Sequence, residues 1–404
     1  MTDTQLNFDV IVVGAGPAGL SAAIELKRLG TGSVLVVERE KQAGGIPRHC
    51  LHSPYGMREW NRLMFGPAYA RRLTQDALDA GVDIRCETTV TALKPNGVID
   101  ISSDAGQQTL TGRAVLLAMG ARETSRSARL VGGTKPKGVM NTATLQNFAA
   151  FCDHMPFKRP VVVGTELVSF SALMTCRSHG VRPVAMLEKN GRITARAPFA
   201  LAPKAMGVPL HLETQIAQIH GKRQVEAVTI IDPSGSHTLQ CDGVIFTGGF
   251  RPENALLRSS GFEIDSGSLG PKIDQYGRLS DTGYYCAGNI LRGIETAGWC
   301  WNEGRKVAQC IAAGLQGDLP PRTPVNVSAQ ASASEHAIKF TLPQAISPSD
   351  PKAPVAFDKL QLRLSDAYTG DVVIGTSTHR VSSKPERRIL LPLPQSPVSQ
   401  KALP

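Results

Sequence analysis

The sequence predicts an α/β protein with two Rossmann-like dinucleotide-binding domains and a small C-terminal β unit. Two sequence patterns support this fold class. A β-branched run that ends in a glycine turn occurs twice, at residues 10–14 and 161–164, as expected for buried parallel strands that lead into nucleotide-binding turns. Beyond residue 337, apolar and polar residues alternate between turn signals, a pattern typical of antiparallel strands.

Composition limits the possible functions. The chain has 404 residues, enough for two or three domains, and 42% hydrophobic residues, which is ordinary for a globular protein. The net charge of +10 comes from Lys and Arg spread along the chain, which indicates a solvated basic surface and argues against nucleic-acid binding. The N-terminus does not resemble a signal peptide, and no segment approaches the roughly 20 apolar residues of a membrane span. We therefore expect a cytoplasmic protein without an integral membrane segment.

The eight cysteines are widely spaced and include no C-x-x-C pair. Zinc and iron–sulfur sites usually take at least two ligands that are close in sequence. We therefore predict no metal site and expect most of these cysteines to be reduced and buried.

The first predicted unit, residues 8–40, has the order strand, glycine turn, helix, strand. Its turn consists of Gly14, Ala15, Gly16, Pro17, Ala18 and Gly19. The three glycines suit a tight turn, a close approach to a pyrophosphate, and close packing of helix on strand. Glu38 ends the second strand about 20 residues later, where a carboxylate can accept hydrogen bonds from an adenosine ribose. The complete βαβ context favours a dinucleotide site over a glycine-rich turn without a ligand.

Two later segments add to this pattern. Residues 116–123, LLAMGARE, are an apolar strand that ends in a small-residue turn, and residues 284–289, YYCAGN, are a short strand that ends in a glycine turn. Together with GAGPAG and the acidic strand end, they resemble the FAD-binding signatures of the pyridine nucleotide-disulfide oxidoreductase superfamily. The resemblance covers about residues 8–315. It implies an FAD-binding domain in two parts, residues 1–123 and 251–316, split by an NAD(P)-binding-like domain at residues 124–250.

The same resemblance implies which residues bind FAD. Besides the six residues of the first turn and Glu38, they are Arg39, Gly45, Val90, Ala118, Met119, Gly120, Gly288, Asn289, Thr296 and Ala297. The superfamily usually has Asp at the position of Asn289, bonded to the ribityl chain of FAD. Because an amide can also accept and donate hydrogen bonds, we expect FAD binding to survive this difference.

Three segments carry a closer resemblance: residues 44–52 (GGIPRHCLH), 65–73 (FGPAYARRL) and 286–305. They look like the flavoprotein subunits of opine oxidases, hydrogen cyanide synthase and heteromeric amino-acid dehydrogenases, and like proteins encoded beside glycerol-3-phosphate dehydrogenases. Such proteins commonly work in multi-subunit complexes. The resemblance therefore implies that the partner of this chain is a second oxidoreductase subunit.

The predicted catalytic residues are Arg48, His49 and Cys50, which directly follow the FAD loop. Arg48 can bind a substrate carboxylate through two parallel hydrogen bonds, and His49 can take a proton. The alternative is structural: His49 holds the loop and Cys50 is an inert thiol. Further candidates follow the last FAD signature: Arg292, Glu295 and Trp299, the last of which is alternatively a core residue.

Disulfide reduction is not expected. Disulfide reductases of the superfamily place two cysteines over the flavin, but Cys50 has no partner at nearby spacing. Thioredoxin-reductase-like enzymes instead carry C-x-x-C after a turn that resembles residues 138–145, where this chain has Thr142 and Leu145. A single thiol cannot close the ring that accepts two electrons.

The second glycine turn has Glu166 where a G-x-G-x-x-G pattern has its middle glycine. That glycine lacks a side chain because the pyrophosphate touches its backbone. At about 4 Å and an effective dielectric near 20, two like charges repel by about 4 kcal/mol, or about three decades of affinity. NAD(P) binding is therefore predicted to be unlikely. The alternative is a reshaped turn that binds NAD(H) weakly, in which case Glu188 favours NAD over NADP.

The composition changes after residue 315. Residues 317–337 are rich in Pro, Ser and Ala and predict a linker. Residues 338–404 predict a small β unit, either a docking or capping module or structural padding. We expect its removal to leave FAD bound and to weaken association with a partner subunit.

The favoured function is an FAD-dependent oxidoreductase, the flavoprotein subunit of a dehydrogenase or oxidase. It acts on a small amino- or hydroxy-acid-like substrate and uses an electron acceptor other than NAD(P). One alternative is an NAD(P)H-dependent flavin reductase that feeds a ferredoxin-like partner, and another is a non-catalytic, FAD-containing assembly subunit. The fold alone does not choose among them.

Overall fold

The computed structural model describes residues 6–195, 201–332 and 337–394. These residues divide into two compact units. The first unit comprises the described residues of Met1–Gly45, Ala70–Ala121 and Pro252–Pro404, and the second those of Ile46–Tyr69 and Arg122–Arg251. Residues 46–69, predicted as FAD-binding domain, therefore group with the inserted domain. Within the described ranges, no helix is both long and apolar enough to cross a membrane.

The helices are mostly short. In chain order they are α1 Pro17–Arg28, α2 Met57–Trp60, α3 Gly66–Asp79, α4 Thr142–Cys152, α5 Leu167–Ser178, α6 Ala202–Ala205, α7 Ala255–Ser259 and α8 Ala297–Gln316. Short 3-10 turns also occur at Ile46–His49, Ser127–Arg129 and Gly288–Ile290.

The strands are distributed along the whole described chain. In order they are β1 Leu6–Val13, β2 Val34–Val37, β3 Asp83–Arg85, β4 Thr89–Lys94, β5 Val98–Ser103, β6 Gly106–Leu117, β7 Ala121–Arg122, β8 Gly132–Gly133, β9 Val139–Asn141, β10 Pro160–Val163, β11 Ala185–Leu187, β12 Leu210–His211, β13 Gln215–His220, β14 Ala227–Asp232, β15 Gly235–Gln240, β16 Gly243–Phe246, β17 Arg251–Pro252, β18 Tyr284–Cys286, β19 Val325–Asn326, β20 Ala329–Ala331, β21 Ile338–Leu342, β22 Ala345–Ile346, β23 Lys359–Leu364, β24 Tyr368–Ile374, β25 Ser377–Ser383 and β26 Ile389–Pro392.

The main sheet of the first unit has the strand order β3-β2-β1-β6-β5-β4, and β18 also pairs with β6. The pairs β1–β2, β1–β6, β2–β3 and β6–β18 are parallel, whereas β4 and β5 form an antiparallel arm. The paired residues 10–13 and 34–37 are all buried, which explains their unbroken apolar runs. Because β1, β6 and β18 are parallel, the turns that follow them meet at one edge of the sheet.

The second unit contains a parallel sheet of order β12-β11-β10-β16-β9 and a second sheet of order β15-β14-β13-β8. α5 connects β10 to β11, and its Phe170 and Leu173 pack in a core that includes Met186 and Ile245. Each unit therefore contains a βαβ arrangement with parallel strands. The α/β fold class predicted from the sequence is confirmed.

The C-terminal strands belong to the first unit. Their own core includes Leu362 and Val372, both fully buried. Ser347, which follows β22, bonds to residues 274 and 275 of the same unit: its hydroxyl donates to Asp274 Oδ2 at 2.9 Å, and its backbone exchanges hydrogen bonds of 2.8 and 2.7 Å with the Gln275 amide. The antiparallel strands are present as predicted, but they group with the first unit instead of forming a compact unit of their own.

The structure also differs from the predicted linker at residues 317–337. Within its described part, β19 pairs with β22 and β20 pairs with β24, both antiparallel. The composition of this segment indicated turns, but its strand pairing depends on partners far along the chain. Residues 333–336 of the predicted linker and residues 395–404 of the predicted β unit lie outside the described residues.

Candidate functional site

The turn between β1 and α1 is crowded at two glycines and open at the third. Gly14 has φ +105°, and a Cβ there would lie 2.6 Å from the backbone oxygen of Ala118. A Cβ at Gly19 would lie 1.9 Å from the backbone oxygen of Gly14, whereas a Cβ at Gly16 would meet nothing within 4 Å. The turn is therefore tightly packed on one side and offers free space at Gly16, where a pyrophosphate is expected.

The start of α1 suits an anion. Gly16 is its N-cap residue, Pro17 is its first residue, and no side chain within the described ranges caps it. The first N–H groups of this helix therefore remain available to a phosphate. Glu38 is buried beside the turn, and its carboxylate accepts hydrogen bonds from the backbone N–H groups of Ala15 at 2.8 Å and Glu40 at 3.0 Å. A carboxylate held by two donors still has lone pairs for a ribose hydroxyl.

Two segments distant in sequence approach this turn closely. A Cβ at Gly288, which follows β18, would lie 2.7 Å from the Cβ of Ala18. A Cβ at Gly45 would lie 2.8 Å from the Cα of Gly16. The structure therefore brings these predicted FAD residues together at the carboxyl edge of the parallel sheet, where ligands of this type of sheet bind.

The other predicted FAD residues differ in their surroundings. Ala118, Met119 and Gly120 follow β6 in that order, and the Gly120 carbonyl accepts a hydrogen bond of 2.9 Å from the backbone N–H of Glu253. Val90 is half-buried in β4. The Arg39 side chain is exposed, with its guanidinium 3.8 Å from the Glu40 carboxylate. FAD contacts by these residues, as by the other residues of the predicted site, remain predictions.

Asn289 is bonded within its own loop. Its Oδ1 accepts a hydrogen bond from the backbone N–H of Glu295 at 2.8 Å, and its Nδ2 donates to the carbonyl of Glu295 at 3.1 Å. An ionised aspartate could accept the first bond but could not donate the second, which gives a physical reason for asparagine here. The loop closed in this way leads to Thr296, the N-cap residue of α8, and to Ala297, its first residue.

A buried ion pair supports the turn after β18. The guanidinium of Arg292 is fully buried and pairs with Glu303, with one bond of 2.9 Å, and also donates to the Gly288 carbonyl at 3.1 Å. Glu303 accepts from the Gly288 N–H at 3.2 Å. Although burial acts to lower it, the pKa of Arg292 is raised because the Glu303 and Glu295 carboxylates lie nearby. Sequence reasoning missed Glu303, because a single acid on an amphipathic helix looks like a solvated residue.

In the second unit, the side chain of Glu166 fills the turn between β10 and α5. Glu166 is the N-cap residue of α5. A Cβ at Gly164 would lie 2.5 Å from Glu166 Oε2, and a Cβ at Gly248 would lie 2.4 Å from the Glu166 carboxyl carbon. The hydroxyls of Ser169 and Thr247 donate to Oε2 at 3.3 Å. The space that is open in the first turn is occupied here by a carboxylate.

The charge of Glu166 depends on several neighbours. Burial raises its pKa above the ordinary value, and the carboxylate of Glu188 acts in the same direction, against its own backbone N–H and the guanidinium of Arg129. Arg129 donates to the carbonyls of Thr247 at 2.7 Å and Gly248 at 2.8 Å. A cation is therefore fixed near this turn and partly compensates the carboxylate.

Glu188 holds the position in the second βαβ unit that Glu38 holds in the first, but more hydrogen-bond donors surround Glu188. It is 4% exposed and accepts hydrogen bonds from the backbone and side-chain nitrogens of Asn190 at 3.0 and 2.7 Å and from the hydroxyl of Thr165. The hydroxyl of Thr194 adds a fourth at 3.5 Å. These donors use the roughly four acceptor positions of a carboxylate, so a ribose would have to displace one of them.

Cys50 lies directly after a 3-10 turn of the second unit and is 4% exposed. Its Sγ lies 3.4 Å from the backbone oxygen of Ile46 and 3.5 Å from the Gln146 side-chain oxygen. Burial raises the pKa of Cys50 to about 11. Burial disfavours the reactive thiolate because a buried charge lacks solvation, which favours the structural alternative for this thiol; its chemical role stays a prediction.

His49 is also buried, at 4% exposure, and neither ring nitrogen has a hydrogen-bond partner among the described residues. Burial, with a smaller effect from Arg48, lowers its pKa to about 4. The ring of Phe151 contacts it edge-on at 6.2 Å between centroids, and the Arg48 guanidinium lies 5.8 Å from the same Phe151 ring. His49 is thus neutral at neutral pH, and two unsatisfied nitrogens mark it as a potential partner for a polar group.

Comparison with known proteins agrees with this site. The profile of the pyridine nucleotide-disulphide oxidoreductase family matches residues 8–304. An opine oxidase subunit from Agrobacterium tumefaciens (strain Ach5) is 25% identical over 346 residues, 78% of this chain and 67% of that protein. Thioredoxin reductase of Treponema pallidum (strain Nichols) is 28% identical over 296 residues, 71% of this chain and 90% of that protein. The crystal structure of T. acidophilum thioredoxin reductase has a TM-score of 0.65 and 24% identity, covering 77% of this chain and 99% of that one.

The family implies flavin binding, and the first unit fits it. The space at Gly16, the available N–H groups of α1 and the buried Glu38 carboxylate match the pyrophosphate and ribose of a dinucleotide. The resemblance inferred from the sequence is confirmed. The chain is an oxidoreductase, and it belongs to the pyridine nucleotide-disulphide oxidoreductase family.

Proposed function

We propose that this chain is the flavoprotein subunit of a multi-subunit dehydrogenase or oxidase that acts on a small amino- or hydroxy-acid-like substrate and passes electrons to an acceptor other than NAD(P). The observation that carries this proposal is the Glu166 carboxylate, which fills the second nucleotide turn. The likeness to a protein named as an opine oxidase subunit supports both the role in a complex and the substrate class.

The nicotinamide site distinguishes the proposed function from that of an NAD(P)H-dependent reductase. A pyrophosphate at the second turn would meet the bulk and the charge of Glu166, and its ribose would compete for a Glu188 already bonded to Asn190 and Thr165. Both effects weaken NAD(P) binding. Electrons from the substrate therefore need another acceptor, which a partner subunit can provide.

FAD, when bound, supplies the hydride chemistry, while the protein binds and orients the substrate. In this proposal the Arg48 guanidinium binds the substrate carboxylate through a bidentate, charge-assisted hydrogen bond. His49, neutral and unsatisfied, hydrogen-bonds the amine or hydroxyl of the substrate. With its pKa lowered to about 4, His49 is a weak base, so we assign it orientation of the substrate instead of the proton abstraction expected from the sequence.

The second candidate is an NAD(P)H-dependent flavin reductase that feeds a ferredoxin-like partner. It is favoured by the similarity to thioredoxin reductase and by Arg129, whose cation lies near the second turn and attracts a phosphate as well as Glu166. In this alternative, Glu166 turns away or is protonated when the nucleotide binds.

Anaerobic flavin spectra of the purified protein distinguish these functions. The protein is mixed in turn with NADH, NADPH and a panel of amino and hydroxy acids, and bleaching of the flavin absorbance is followed in time. Bleaching by an acid substrate, with little by either nucleotide, is the expected result. Rapid, saturable bleaching by micromolar NADH would instead establish the reductase, and a flavin that no donor reduces would leave only the non-catalytic assembly role.

A further inference from the structure

We propose that the C-terminal strands clamp the FAD-binding loop of residues 289–296, and that Glu295 is the positioning residue through which they act. The clamp consists of Glu295 in the loop and Gln361, Arg363 and Arg388 in the C-terminal part of the first unit. The proposal concerns FAD retention only, and it is independent of the substrate and of the electron acceptor.

The Glu295 side chain is only 7% exposed, and three groups of the C-terminal strands bond to it. Its Oε1 accepts hydrogen bonds from Gln361 Nε2 at 3.1 Å and from the Arg363 guanidinium. Its Oε2 accepts from Arg388 Nη1 at 2.8 Å. Gln361 and Arg363 lie in β23, and Arg388 immediately precedes β26, which pairs with β23. Both oxygens of one carboxylate are therefore held by one antiparallel strand pair.

The backbone of Glu295 transmits this restraint to the predicted FAD loop. Its N–H and C=O make the two hydrogen bonds with the Asn289 amide, and the next residue, Thr296, is the N-cap of α8. The carboxylate thus anchors the residue whose backbone closes the loop. Loss of the carboxylate frees the loop and the start of α8 together, although no C-terminal residue needs to touch FAD.

Packing and charge make the clamp cooperative. The Arg388 guanidinium carbon lies 3.6 Å from the centroid of the Trp299 ring in the first turn of α8, close enough for a cation–π interaction. Arg363 is 8% exposed, and burial lowers its pKa while Glu295 opposes this effect. Removing Glu295 would leave buried guanidinium charge without its partner, which is strongly unfavourable. The strands and the loop are therefore expected to be ordered together.

This inference reverses the sequence-based expectation that the C-terminal unit can be removed without loss of FAD. It predicts that Glu295→Gln and Arg388→Gln each raise the FAD dissociation constant roughly tenfold or more, equivalent to about 1.4 kcal/mol. The constant is measured by flavin fluorescence during titration of the deflavinated full-length chain. Thermal unfolding of the same apoprotein, followed by circular dichroism, should show no comparable loss of stability in Arg388→Gln. In Glu295→Gln a loss of stability is expected as well, because Arg363 loses its buried partner.

Two controls separate the clamp from general stabilisation. Asp358→Asn breaks a solvent-exposed ion pair of 3.2 Å between α8 and the same C-terminal part, Lys306–Asp358, and should leave FAD affinity unchanged. Arg388→Lys keeps the charge and should restore most of the affinity lost in Arg388→Gln. If Glu295→Gln does not fold, Arg388→Gln carries the test, because it leaves the Glu295–Arg363 pair intact. FAD affinity within about twofold of the unmodified chain in Arg388→Gln, or equal losses in Asp358→Asn, would overturn the proposal.

Discussion

Replacing Glu166 by glycine is expected to strengthen NADH binding by about two to three decades. The carboxylate lies within contact distance of Cβ positions at Gly164 and Gly248, so a phosphate in this turn would approach it to about 4 Å. At an effective dielectric near 20, this repulsion is about 4 kcal/mol, or about three decades. Arg129 offsets part of it, which sets the lower end of the range.

Glu166→Gln is the matched control because it keeps the bulk and removes the charge. We expect NADH affinity to rise in the order unmodified chain, Glu166→Gln, Glu166→Gly. Since burial raises the pKa of Glu166, its carboxyl group is protonated more readily than a solvated one. In the unmodified chain, NADH affinity should therefore rise as the pH falls through this elevated pKa, and in Glu166→Gln this dependence should be lost.

The assay is a titration of each variant with NADH, followed by nucleotide fluorescence, together with the anaerobic rate of flavin bleaching. Circular dichroism confirms that the variants fold. The reasoning is refuted if Glu166→Gly binds NADH no more tightly than the unmodified chain, or if the unmodified chain already binds it at micromolar concentration. Tighter binding in Glu166→Gly alone would assign the obstacle to bulk instead of charge.

Three further predictions follow from particular contacts. Gly16→Glu should abolish FAD uptake yet leave the apoprotein folded, because Gly16 has φ −83° and free space for a side chain; FAD titration and circular dichroism test this, and retained FAD binding would contradict it. Gly304→Ala should lower the free energy of unfolding by about 1–3 kcal/mol in urea titrations, because the new Cβ would lie 2.1 Å from the Ala18 carbonyl oxygen. An unchanged or higher free energy of unfolding, as helix propensity alone predicts, would refute the packing argument. Cys50, with its pKa raised to about 11, should react with a thiol reagent at neutral pH far more slowly than the exposed Cys152, as peptide mapping can show; equal rates would show that Cys50 is accessible.

Local sequence patterns were sufficient to predict the βαβ segment of the first unit. The β-branched runs, the spacing of Gly14, Gly16 and Gly19, and the acid at Glu38 act within one continuous βαβ segment, so short-range periodicity and turn chemistry were sufficient to predict it. The substitution at Glu166 could also be interpreted from the sequence, because its place in the turn sets what a bound phosphate would meet. The family resemblance followed from the same motifs.

The tertiary structure decided which polar residues are paired, and with what. Cys50 and His49 looked like reactive groups, but their burial, which raises one pKa and lowers the other, depends on folded surroundings that no local pattern shows. Arg363 gave no functional signal in the sequence, since a charged residue in an alternating strand is usually solvated. It lies 68 residues from Glu295 along the chain, and their ion pair exists only because strand pairing and core packing, which are long-range interactions, bring β23 against the loop before α8.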